Sequence, residues 1–216
     1  MKLSAQEQSR LKTLLARLAA QYPDAGCSLA HADPFQLLIA TILSAQCTDD
    51  RVNKVTPALF KKYPSPKAFA GASLADVEKL IHSTGFYKNK ALSIVESSKA
   101  LVERFGGKVP DIMEDLLTLR GVARKTANVV LGSAYGISDG VVVDTHVKRL
   151  AFRMGFTKNT APEKVELDLM AVVPRDRWIW LSHALIEHGR SFCVARKPDC
   201  VSCPLKTACP KKGVAA

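Results

Sequence analysis

Four of the six cysteines sit close together near the C-terminus: Cys193, Cys200, Cys203 and Cys209, with spacing C-x6-C-x2-C-x5-C. Four thiolates can close the shell of a zinc ion or hold an iron–sulfur cluster. Zinc ribbons use two separated C-x2-C knuckles, whereas here one such pair is flanked by single cysteines. The bacterial ferredoxin run, with its short repeated spacings, differs too. Donor chemistry alone leaves zinc and [4Fe–4S] equally open. Disulfides are not expected in a reducing cytosol, where a tight cysteine group reads as a metal site. Cys27 and Cys47 stand apart and are expected to be small buried side chains.

A second constellation is Leu119-Arg120-Gly121-Val122-Ala123 followed by Arg124-Lys125. A helix over roughly 111–118 meets this turn, and another helix starts near Arg124. Gly121 permits a backbone turn that a side chain would obstruct. The free N–H groups and the dipole at the start of the next helix favour a phosphate, and Arg120, Arg124 and Lys125 add charge. Such a turn grips a nucleic-acid backbone without reading bases. The whole-chain balance agrees: 31 Lys and Arg against 20 Asp and Glu, a formal +11, attracts polyanions. Lys125, in a first helical turn beside Arg124, is expected to lose its proton more easily than a free lysine. Asp144, before Thr145-His146-Val147, is a natural N-cap. His183 and His188 lie five apart, off a shared helix face and outside any HExxH motif, and read as structural.

The elements that must position these groups are helical. Leu11, Leu14, Leu15 and Leu18 repeat at helical spacing, as do Phe35, Leu38, Ile39 and Ile42, then Val147, Leu150, Ala151 and Met154, and later Trp178, Leu181 and Leu185. Val141-Val142-Val143 is the one strand-like run, too short for a sheet and without a partner. Tyr63-Pro64-Ser65-Pro66 reads as a loop, and Gly106-Gly107 ends a helix. One repeat is internal. Gly85-Phe86-Tyr87-Lys88-Asn89-Lys90-Ala91 and Gly121-Val122-Ala123-Arg124-Lys125-Thr126-Ala127 share the glycine, a basic residue three later and an alanine six later. Each reads as helix, tight turn, helix.

With 47% hydrophobic and 24% charged residues, the 216-residue chain has globular composition and length for one domain or two small ones. No apolar run approaches the ~20 residues of a membrane helix. Met1 to Arg10 is polar, with no signal-peptide region. The expectation is a cytoplasmic protein, nucleoid-associated in a bacterium, with no membrane partner.

The stretch LRGVARKTANVVLGSAYG, the following VDTH and the four C-terminal cysteines resemble the endonuclease III family of helix-hairpin-helix DNA glycosylases, as do PFQLLIATILSAQCTD and GFYKNKA. The resemblance covers about residues 30–210, with its elements in the family's order. It implies an all-α, two-lobed glycosylase fold with a small C-terminal [4Fe–4S] loop. One lobe would be a helical bundle over 26–138 carrying the helix-hairpin-helix, the other a cluster domain of 1–25 plus 139–216. It implies a monomer that binds double-stranded DNA containing a damaged base or abasic site, removes oxidised pyrimidines of the thymine-glycol type, and cleaves the strand as a lyase.

The same resemblance assigns residues. Lys125 matches the catalytic lysine and Asp144 the catalytic aspartate; Cys193, Cys200, Cys203 and Cys209 match the cluster ligands. Gln46 and Phe86 match the groove-inserting positions, Gln46 to meet the orphaned base and Phe86 as the apolar wedge. Ser44 and Asp49 would line the same pocket. Arg120, Gly121, Val122, Ala123, Arg124 and His146 would contact DNA, with Arg196 and Lys197 presented to phosphates by the loop between the first two ligands. Three positions depart from the common pattern. Phe86 replaces leucine, Arg120 replaces proline and Ala123 replaces glycine, the last resisting a left-handed backbone. Two rivals keep the hairpin. An adenine or other mismatch-specific glycosylase needs no lysine nucleophile and usually carries a further C-terminal domain, whereas this sequence ends seven residues past its last cysteine. A non-catalytic DNA-binding module would use the metal as a staple.

Overall fold

A computed structural model describes residues 4–214; the expectations resting on Met1 and on Ala216 lie outside the described residues. Among the described residues the regular elements are helices, with no strand. They are α1 (Ala5–Gln21), α2 (Pro34–Leu43), α3 (Asp49–Lys62), α4 (Pro66–Ala70), α5 (Leu74–Ile81), α6 (Tyr87–Phe105), α7 (Met113–Leu117), α8 (Arg124–Tyr135), α9 (Thr145–Met154), α10 (Pro162–Val172) and α11 (Trp178–Ser191). Short 3-10 turns follow α5 and precede α11. The chain divides into two compact units, Cys27–Asp139 and the residues to Gly26 together with those from Gly140.

The Cys27–Asp139 unit is built round α2. Asp33 caps it through Gln36 N–H at 2.8 Å, and Pro34 occupies its first turn. Phe35 and every residue from Leu37 to Leu43 are buried, so this helix is wrapped on all sides. It packs against α3, α6 and α8, while α4 and α5 cover α6. Leu59, Phe69, Ile81, Ile94, Leu101 and Val130 fill the core. Cys27 and Cys47 are half-buried at its edge rather than enclosed. The helix expected over 111–118 is shorter, because Ile112 is extended at φ −121° and Thr118 already begins the turn. Asp111 therefore precedes it.

In the other unit, Ser4 and Glu7 form a capping box at the start of α1. Leu11, Leu14 and Leu18 bury one stripe of α1 among Leu150, Met154, Phe156, Leu169, Leu181 and Leu185. Helix α9 packs on α10 and α11. Residues 141–144 are irregular, without a ladder, and Val141 is buried. Gly155 ends α9 in the left-handed region at φ 76°.

Candidate nucleic-acid interface and thiol site

The second hairpin is held from beneath. Leu119 and Val122 point into the core. Ser97 on α6 donates its hydroxyl to the Arg120 carbonyl at 2.7 Å. Gly121 has φ 78°, and a Cβ there would lie 2.8 Å from Ser93 Cβ and Oγ. Both the turn and the close approach to α6 therefore require glycine. Ala123 needs no left-handed backbone: as the N-cap of α8 it is extended at φ −99° and ψ 171°, so the departure from glycine costs no strain. Its methyl group cannot cap, and α8 has no side-chain cap. The first intrahelical bond runs from Ala127 N–H to Ala123 O, so the N–H groups of Arg124, Lys125 and Thr126 open the helix. Arg120, Arg124 and Lys125 are exposed round them. Arg124 also pairs with Asp139 at 3.7 Å, a surface contact worth little by itself.

Gln46 and Phe86 are both exposed, and both adopt left-handed backbones, at φ 53° and 48°. Such a conformation costs a non-glycine residue roughly 1–2 kcal/mol, and strain of this kind concentrates at functional positions. The two residues line one open pocket of about 180 Å³ with Ile42, Asn89, Lys90 and Gly121. Phe86 is 63% exposed, so it does not pack within its own hairpin. Ser44 and Asp49 do not line this pocket. Ser44 turns back onto the end of α2, donating to Thr41 O at 2.9 Å, and Asp49 accepts from the Ser28 hydroxyl.

Asp144 is half-buried and caps α9, its Oδ1 accepting from Val147 N–H at 2.8 Å. A carboxylate that caps through one oxygen keeps acceptor capacity on the other. Two residues on, His146 Nδ1 lies 3.2 Å from Arg149 Nη2. Guanidinium only donates, so in that contact the imidazole nitrogen is the acceptor. Burial lowers the His146 pKa, Arg149 and Arg190 lower it further, and Asp144 opposes them. Helices α9 and α11 approach closely at Gly189, where a Cβ would meet His146 Nδ1 at 2.8 Å.

Arg149 donates to Gly189 O and, from both Nε and Nη2, to Cys193 O. Arg153 donates to Cys193 Sγ at 3.4 Å, to Val194 O and to Ala195 O. The helix begun by Asp144 is thus tied to the start of the cysteine loop. Cys193, Cys200, Cys203 and Cys209 line one cavity with Met154, Phe192 and Leu205. Leu205 N–H donates to Cys203 Sγ at 3.4 Å, and His188 Nε2 lies 3.5 Å from the same sulfur. His188 is fully buried, its Nδ1 is 3.0 Å from the Tyr22 hydroxyl, and burial pushes its pKa down to about 4. Burial raises the Cys203 and Cys209 pKa values, with the neighbouring cysteines adding to it. Arg196 and Lys197 are exposed between the first two cysteines.

Nothing in the local sequence marks the contacts of Arg149, Arg153, Ser93, Ser97 and Lys90, or the approach of His188 to Cys203. Serine and arginine spacing on a helix carries no mark of which carbonyl each will reach. Gly121, Gly155 and Gly189, each with a side chain where a Cβ would lie, are the residues whose type hints at tight packing.

The fold and the hairpin define a helix-hairpin-helix base excision repair protein, and residues 39–175 match the HhH-GPD superfamily base excision DNA repair family. Endonuclease III of Synechocystis sp. is 55% identical over 206 residues, covering 95% of this chain and 94% of that protein. Endonuclease III of Escherichia coli K12 is 40% identical over 199 residues, covering 92% and 94%. A trapped endonuclease III–DNA covalent intermediate is similar at TM-score 0.90 and 41% identity, covering 97% of each chain. A thermostable thymine-DNA glycosylase shares the fold at TM-score 0.83 and 22% identity, covering 96% and 98%. The chain belongs to the endonuclease III family, bifunctional DNA glycosylases and abasic-site lyases of base excision repair. No helix among the described residues is long and apolar enough to cross a membrane.

Proposed function

We propose that this chain, as a monomer in the cytoplasm, excises oxidised pyrimidines of the thymine-glycol type from duplex DNA, with Lys125 as the nucleophile. The observation that carries this reading is the place of Lys125: exposed, second in α8, where the Lys125 and Thr126 N–H groups at the helix start suit a phosphate. The neutral amine attacks the sugar C1′, the N-glycosidic bond breaks, and the base leaves with the electron pair and takes up a proton. The sugar ring opens to an iminium. Loss of the C2′ proton then drives β-elimination, the 3′ phosphate leaving with the C–O electron pair. Hydrolysis of the imine frees Lys125. Asp144 accepts a proton or stabilises positive charge on the sugar through the oxygen that does not cap α9. Gln46 and Phe86 fill the gap left by the extruded nucleotide, and Arg120, Arg124, His146, Arg196 and Lys197 hold phosphates.

The four cysteines fit a [4Fe–4S] cluster. They line one cavity with Met154, Phe192 and Leu205. A cubane takes one thiolate per iron, and the likeness to endonuclease III favours it over one tetrahedral zinc. Bound there, the cluster would brace the loop through Cys193, Cys200, Cys203 and Cys209. The residues from Gly140 on, with those to Gly26, would form the cluster domain, and Cys27–Asp139 the hairpin domain.

Borohydride trapping on abasic-site and thymine-glycol duplexes tests the mechanism. The expected result is a protein–DNA crosslink on both, lost in Lys125→Gln while duplex binding is kept. Folded, cluster-loaded protein that gives no crosslink on either DNA would exclude the amine mechanism.

A further inference from the structure

The Cys27–Asp139 unit buries one lysine. Lys90, in the first turns of α6, is 5% exposed although it borders the pocket that Gln46 and Phe86 line. A buried ammonium is costly unless its N–H groups are matched. Here Nζ donates to Leu43 O at 2.7 Å and to Thr84 O at 2.8 Å. Leu43 is the last residue of α2, three before Gln46, and its carbonyl is an orphan of that helix end. Thr84 closes the 3-10 turn, two residues before Phe86. The Lys90 backbone N–H also donates to Phe86 O at 3.1 Å, so the Phe86 turn is held from both sides. Gln46 and Phe86 are the two non-glycine residues of this unit with left-handed backbones, and the segments carrying them meet on this one ammonium.

We infer that Lys90 is a positioning residue for lesion recognition: its ammonium pins the two segments that bear Gln46 and Phe86 and sets the spacing at which they enter the duplex together. The inference rests on the proposed gap-filling roles of those two residues. A side chain that spans both segments can do this because three donors sit on one atom. An apolar residue of equal length would fill the space and leave the carbonyls untied.

The test compares Lys90→Met and Lys90→Gln with Gln46→Ala and Phe86→Ala. Binding is measured on a duplex with a tetrahydrofuran abasic analogue and on undamaged duplex, with 2-aminopurine opposite the lesion to report insertion. Cleavage of single-stranded abasic DNA, which has no gap to fill, is read beside them. Lys90→Met should weaken lesion-duplex binding by about tenfold or more, the cost of losing a charged hydrogen-bond tie. It should also quench the 2-aminopurine change and leave undamaged binding and single-strand cleavage within about twofold. Lys90→Gln should fall between. The Lys90→Met and Gln46→Ala losses should be less than additive.

An unchanged preference for the lesion in Lys90→Met would overturn the inference alone. So would parallel losses on every substrate, or a failure of both Lys90 variants to fold by circular dichroism. If Gln46→Ala and Phe86→Ala leave lesion binding intact, the gap-filling reading itself falls, and this inference with it.

Discussion

At the residue after the turn glycine, the first hairpin exposes Phe86 and the second buries Val122. At the residue before it, the first buries Thr84 and the second exposes Arg120. The alanines six residues later, Ala91 and Ala127, are both fully buried. The repeat thus shares an anchor and inverts its face. The backbone makes the difference. Phe86 is left-handed and swings outward as the N-cap of α6, whereas Val122 has no positive φ and packs inward behind Gly121. One hairpin offers an apolar wedge above a buried cation, Lys90. The other offers cations and the Lys125 and Thr126 N–H groups of the helix start above an apolar plug. A wedge suits base steps and the second arrangement suits phosphates.

The glycines offer the largest way to break this comparison. Gly121→Ala meets both a φ of 78° and Ser93 at 2.8 Å, whereas Gly85→Ala, at φ 69°, meets open space. Each should lose about 1–3 kcal/mol to backbone strain, and Gly121→Ala a further 1–3 kcal/mol, roughly, to the clash. Denaturant unfolding measures both, and a cycle with Ser93→Gly should recover about 1 kcal/mol or more of the clash and none of the strain. Equal losses at the two glycines would mean that the close approach to α6 is unimportant.

The inverted residues come next. Val122→Ala should cost about 1–2 kcal/mol of stability. Phe86→Ala should stay within about 0.5 kcal/mol while weakening binding to the lesion duplex. A reversed pattern would refute the assignment of wedge and plug.

The smallest effect is electrostatic. Arg120→Ala should reduce the slope of log K against log salt by about 0.9, uniformly across damaged and undamaged duplex. Phe86→Ala should leave that slope unchanged, and a shift in it would place Phe86 near phosphates instead of bases.

Much of the site was legible because its chemistry is local. The Gly121 turn, the exposed Lys125 in a helix first turn and the Asp144 cap each depend on a few neighbouring residues, and the structure has all three. The cysteine spacing is local too, and the structure gathers the four thiols round one cavity. Ser44 and Asp49 are near Gln46 in sequence but do not line its pocket. A helix end reverses direction within a turn, so Ser44 faces Thr41 and Asp49 faces Ser28.

The sequence by itself determined the helices, the two turns that join them as hairpins, the thiol group and the excess of positive charge. Periodicity, glycine conformational freedom and charge are properties of short segments, and they survive in any fold of the chain. The tertiary structure alone decided which way each hairpin faces. It placed Lys90 between two carbonyls from distant segments, and it tied Arg149 and Arg153 of the Asp144 helix to the cysteine loop. Those choices turn on which buried polar groups find partners across the core, and a partner 40 or more residues away leaves no mark on local spacing.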